Sequence, residues 1–204
     1  MTTTLGYTVL SAPSVLEIEE KRSRFICLLS PVQNKAEIQP ALDCARELYP
    51  AANHYCWAYV IGDAYQPTWV AANDDGEPSG TAGRPMLNVL QQREVGGILA
   101  VVVRYFGGVK LGAGGLVRAY SNVTSQALDA AQLKTVLPMT SLTVIIDYAY
   151  ENLLRNKLAA LGGTLEDVSH AEAVRCKVSV PSQFAAEFCA WLTRQTSGKS
   201  IIET

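Results

Sequence analysis

The segment RYFGGVKLGAGGLVRAY (residues 104–120) sets three cations, Arg104, Lys110 and Arg118, among five glycines, Gly107, Gly108, Gly112, Gly114 and Gly115. An apolar run ends where it begins, and residues of helical spacing follow it. A strand that turns through glycines into a helix leaves backbone N–H groups free at the helix start, where the helix dipole also favours negative charge. The chemistry on offer is anion binding, to a phosphate or to the backbone of an RNA. From Val95 to Leu128 these cations stand with no Asp or Glu, in a chain whose net charge is −2. The positive charge is therefore local. The same glycines also suit a plain strand-to-helix connection, since glycine allows close packing and φ > 0. Nucleotide motifs fail in detail. Ala113 and Gly114 stand where a P-loop needs Lys and Ser or Thr. Val117 stands where a dinucleotide fingerprint beginning at Gly112 needs its last glycine.

A second set of chemical groups lies in NDDGEPSGTAGRPM (73–86), where Asp74, Asp75 and Glu77 precede Ser79, Gly80, Thr81 and Gly83. Carboxylates so placed suit Mg²⁺, which takes one or two of them together with substrate oxygens. With the glycine loop on phosphate, they would make a nucleotide-binding phosphotransferase or hydrolase. The simpler reading is a solvated turn whose aspartates bond backbone amides. An internal pairing of this loop with the Arg104 to Arg118 patch is a further option. Lys21, Arg22 and Arg24 form another small basic cluster. His54 and Cys56 share one strand face, but a nucleophilic pair needs contact and an orienting third group, and the sequence displays neither. No catalytic set and no metal-ligand set assembles, so no catalytic residue, metal or cofactor is expected and the chain reads as a non-enzyme. Tyr105 and Phe106 suit base stacking wherever they are exposed.

The elements that must position these groups are legible in outline. RFICLLSPV (24–32) and HYCWAYVIG (54–62) read as strands, and YQPTWVAA as a weaker one because Pro67 cannot donate to a ladder. Asn34 caps a helix running to about Tyr49, and Pro85 opens a short one at 85–92. ILAVVVRYF (98–106) is continuously apolar, as a strand buried on both faces requires. A helix follows at 115–131. LKTVLPMTS (133–141) reads as a linker, and beyond it the order is β-α-β-β-α-β, the ferredoxin-like arrangement. The expectation is two α+β domains, 1–137 and 138–204.

Composition fits that reading. The 204 residues are 49% hydrophobic and 18% charged, ordinary for a globular chain, and a pI near 5.7 excludes a uniformly basic nucleic-acid binder. Five cysteines, Cys27, Cys44, Cys56, Cys176 and Cys189, form no CxxC pair. Reduced thiols in a cytoplasmic protein are expected. MTTTLGYTVLSAP lacks the pattern of a signal peptide, and apolar runs such as ILAVVV are too short for a bilayer, so no membrane partner is expected.

GRPMLNVLQQREVGGILAVVVRYFGGVKLG (83–112), with KRSRF (21–25), HYCWAYV (54–60), DDGEPSGTAGRPM (74–86) and GGLVRAY (114–120), resembles the signature of the IMPACT family, in its bacterial YigZ-type branch. The resemblance spans essentially the whole chain. It implies an N-terminal domain with the fold of a small-subunit ribosomal protein, the fourth domain of elongation factor G and the GHMP kinases. It implies a C-terminal domain like the last domain of elongation factor G. It further implies a translation-associated role, with RNA, the ribosome or a translation-linked protein as partner. The eukaryotic members are regulators of translation that act through a protein partner.

Overall fold

The computed structural model describes residues 6–203; residues 1–5 and 204, which the expected domain limits include, lie outside the described residues. The chain is mixed α/β and divides into two compact units, one of Tyr7–Val136 and one holding Leu137 onward.

In chain order the first unit comprises β1 (Tyr7–Leu10), β2 (Ser14–Glu20), β3 (Ser23–Pro31), α1 (Ile38–Leu48), β4 (His54–Gly62), β5 (Pro67–Asn73), α2 (Gly83–Gln92), β6 (Ile98–Tyr105), α3 (Ala113–Ala130) and β7 (Leu133–Val136). β6 is buried from Ile98 through Arg104 and lies at the centre of a five-stranded antiparallel sheet, ordered β2-β3-β6-β4-β5. Its apolar run is continuous because helices cover both faces. Side chains alternate between those faces. Ile98, Ala100 and Val102 join Phe25, Cys27 and Cys56 beneath Met86 and Leu90 of α2 and Leu116, Tyr120 and Val123 of α3. Leu99, Val101 and Val103 join Ile26 and Tyr59 beneath Ile38, Leu42 and Ala45 of α1. Asn34 does cap, but over a single 3-10 turn at Lys35–Glu37 that runs on into α1; its side chain accepts from the Ala36 N–H at 3.0 Å.

The segment expected to be a linker is partly structured. β7 pairs antiparallel with β1, Tyr7 opposite Val136 and Leu10 opposite Leu133.

The second unit comprises β8 (Met139–Ile146), α4 (Glu151–Leu161), β9 (Thr164–His170), β10 (Val174–Pro181), α5 (Ser182–Gln195) and β11 (Ile201–Glu203). Its antiparallel sheet has the order β11-β8-β10-β9. Leu154 and Leu158 of α4 and Phe188 and Leu192 of α5 pack on Val144, Cys176 and Val178. Among the described residues no helix is long and apolar enough to cross a membrane.

Candidate anion-binding connector and buried ionic network

The connector from β6 to α3 has its shape dictated by glycines. A Cβ on Gly107 would lie 1.9 Å from the Arg22 carbonyl oxygen, so only glycine lets the connector rest on the β2–β3 turn. The Gly107 N–H donates to Ser23 Oγ at 3.2 Å, which fixes that approach. Gly112 is the N-cap of α3, with φ +72 and no side chain to cap the helix. The first N–H groups of α3 are therefore left without intrahelical partners. Gly115 makes room for Leu111, whose Cβ would meet a Cβ there at 2.9 Å. Gly108 and Gly114 are exposed.

Two basic segments far apart in sequence meet at this connector. Lys21 and Arg118 line one cavity of about 650 Å³, together with Leu111, Gly115 and one acid, Glu20. Arg22 lies against Gly107, and Lys110 follows within the connector. Lys21, Arg22, Lys110 and Arg118 are all exposed. Among the described residues none of the four has a carboxylate within ion-pair distance.

The expected patch loses two cations to other partners. Arg24 sits one strand position away from Ser23 and so points to the α1 side of the sheet. There its guanidinium bonds both oxygens of Glu17, at 2.7 and 3.0 Å, and lies 5.3 Å from the Tyr105 ring. That hydrogen bond holds the Glu17 carboxyl below its usual range. Arg104 is not a surface cation either. It is 5% exposed, and its Nη1 donates to Glu77 Oε1 at 2.6 Å. Its position explains this: Ala100, Val102 and Arg104 share the inward face of β6, and the guanidinium lies 5.3 Å from the Phe25 ring.

Glu77 is the one acid of its loop that pairs with the expected patch. Its Oε1 also accepts from the Tyr120 hydroxyl at 2.8 Å, and Cys56 Sγ lies 3.3 Å from that hydroxyl. Burial pushes the Tyr120 hydroxyl far up, so it remains a donor. Burial likewise raises the Cys56 thiol to about 12, which removes it as a nucleophile. His54 stands opposite Arg104 on β4. Its Nε2 is 4.0 Å from Glu77 Oε2, and its Nδ1 is 2.8 Å from the Asp75 carbonyl oxygen. Sequence reasoning missed Tyr120 and Ser23, which carry this network across three segments.

Asp74 and Asp75 build the loop. Asp75 accepts from the Tyr55 N–H at 2.7 Å. Asp74 accepts from the N–H groups of Gly80, Ala82 and Gly83 at 2.7, 3.0 and 2.8 Å. Burial opposes ionisation of Asp74, but the donors at Gly80, Gly83 and Ala82 together outweigh it and hold the carboxyl below its ordinary value of 3.8. The carboxylates thus face backbone donors and Arg104, which argues against the Mg²⁺ arrangement. Among the described residues no three His, Cys, Asp or Glu side chains are placed to hold a metal ion. Asp74→Ala is expected to cost about 2 kcal/mol at neutral pH, since charged acceptors contribute more than neutral ones but water replaces part of the loss. The Asp74 contribution is fully present above the unfolded value and fades as pH falls below it. Urea midpoints of the two proteins should therefore converge in acid.

Residues 21–128 match the Impact N-terminal domain, and residues 144–199 match a domain of unknown function, DUF1949. The chain is 40% identical to the IMPACT family member YvyE of Bacillus subtilis, over 92% of its own length and 85% of the relative's. It is 35% identical to the IMPACT family member YigZ of Escherichia coli, with 95% of each chain covered. The crystal structure of an hypothetical protein superposes with a TM-score of 0.74 at 34% identity, covering 97% of this chain and 96% of the other.

Proposed function

Because the chain belongs to the IMPACT family, we propose that it is a non-enzymatic, translation-associated protein of the cytoplasm that binds RNA, on the ribosome or beside a translation factor. The binding surface is the face carrying Lys21, Arg22, Lys110 and Arg118. A ribosomal-protein or elongation-factor-G domain IV fold for the first unit and a ferredoxin-like fold for the second belong to the same reading. The observation that carries it is the convergence, around a helix start in a chain of net charge −2, of four exposed cations that have no ion-pair partner among the described residues. Phosphates meeting such a surface release counterions, so binding weakens as salt rises. Phe106, 45% exposed at the end of β6, adds an aromatic face on which a base can stack.

The test is co-sedimentation of the purified protein with ribosomes from its own source, at low and at moderate salt. The Lys21→Ala/Lys110→Ala/Arg118→Ala variant runs alongside. The wild type is expected to pellet at low salt and the variant to stay in the supernatant. Against single-stranded RNA, each lost contact should flatten the log–log salt slope by about 0.7. A wild type that fails to pellet at low salt sinks the reading. Equal pelleting of the variant sinks this surface.

A further inference from the structure

A second cavity at the connector, of about 380 Å³, shares Lys110 with the cationic face and is also lined by polar groups which that face does not use. Glu77, with its neighbours His54 and Arg104, lines it together with Phe106, Lys110 and Gly112. The network of Glu77, His54 and Arg104 is not fully paired. Glu77 Oε1 accepts two hydrogen bonds, while among the described residues Oε2 has no donor and has only His54 Nε2 nearby, at 4.0 Å. The Glu77 side chain is 3% exposed, and the buried Arg104 Nε also lacks a partner among the described residues. Oε2 is thus an acceptor still open to a donor, on a residue that lines the cavity.

The chemistry of that ligand follows from the donors and acceptors present. The Asp75 carbonyl only accepts, so His54 Nδ1 carries a hydrogen and a neutral ring presents a lone pair at Nε2. Glu77 Oε2 and His54 Nε2 are then two acceptors side by side. A single amine nitrogen at about 2.9 Å from each bridges their gap and gives a hydrogen to both. The Glu77 carboxylate repels an anion, which belongs instead with Lys110 and the uncapped N–H groups of the 18-residue α3. Phe106, whose ring lies 5.6 Å from the Arg104 guanidinium, offers an aromatic face to the same cavity.

We propose that this cavity takes one nucleotide unit of RNA, or a free nucleoside 5′-monophosphate, whose base carries an exocyclic amine. The amine bonds Glu77 Oε2 and His54 Nε2, the base lies on Phe106, and the phosphate meets Lys110 and the start of α3. Adenine, cytosine and guanine have such an amine and uracil does not. This rests on the RNA-binding reading and adds to it a choice among bases.

The test is calorimetric titration of the whole chain with AMP, CMP, GMP and UMP. The three amine-bearing nucleotides should bind about tenfold more tightly than UMP, the worth of a hydrogen bond to a charged acceptor. Phe106→Ala should weaken CMP binding about tenfold. Lys110→Ala should weaken CMP but leave cytidine unchanged, since only the phosphate is lost. Both side chains are exposed, so both variants keep the core. Equal affinity for UMP and CMP, or no binding of any monophosphate at millimolar concentration, overturns the proposal and leaves ribosome binding to stand or fall by its own assay. Nucleotide discrimination in a protein that never pellets with ribosomes would keep the cavity and sink only the earlier reading. Competition by putrescine as strong as by CMP would overturn base recognition in favour of an amine site.

Discussion

Glu77→Ala is expected to destabilise the N-terminal unit by about 4 kcal/mol, because it strands a charge inside the protein. Arg104 is 5% exposed and, beyond its packing on the Phe25 ring, keeps only a long hydrogen-bond contact to Ser23 Oγ at 3.5 Å once Glu77 is gone. Tyr120, fully buried, loses the acceptor for its hydroxyl at the same time. Desolvation was already costly for both ions, and the partner left behind keeps its share without compensation. Replacing both members, with Glu77→Leu and Arg104→Met, should cost far less than the sum of the single changes, and that non-additivity is the signature of the pair. Urea unfolding reads the effect, in a Trp191→Phe background so that Trp57 and Trp69 report the first unit alone. An unchanged midpoint for Glu77→Ala would show that the ion pair is not structural.

Gly107→Ala is expected to cost about 3 kcal/mol, at the upper end of what overpacking costs. The new Cβ would fall 1.9 Å from the Arg22 oxygen and 2.0 Å from its carbonyl carbon, and both are backbone atoms. The turn that must yield is already committed, with Lys21 at φ +48 and Arg22 at φ +65. Relief therefore means moving the connector off Ser23, which carries Lys110 away from Lys21 and Arg22. RNA affinity should fall together with stability. Gly114→Ala is the contrast. Its Cβ would meet only Arg118 Nη1, at an ordinary 3.6 Å, and alanine is the better helix former. Equal urea midpoints for the two variants would remove Gly107 from this role.

Local pattern carried most of the fold, and long-range pairing carried most of the site. β6 was legible because a strand buried on both faces reads as one apolar run, and β4 because branched and aromatic residues mark it from end to end. β1 and β7 are four residues each, too short for a period to register, and they owe their existence to each other. β2 does alternate, with Ser14, Leu16 and Ile18 half-buried and Val15 and Glu17 exposed, so the sequence carries its signal as well. Arg104 was visible as a cation, but its glycine-rich surroundings drew it to the surface. The better signal was its spacing from Ala100 and Val102, which places it inward. No local pattern joins Gly107 to Arg22 and Ser23, more than eighty positions away, because the contact consists of a missing side chain.

The ribbon of β1 and β7 has a consequence for how the first unit is handled as a module. Tyr7 and Val136, its first and last residues, are cross-strand partners, so the chain enters and leaves at one point. A unit closed in this way behaves as a cassette. Its ends can be joined and the chain opened elsewhere by circular permutation, or the whole can be set into a surface loop of a host protein, without stretching the backbone.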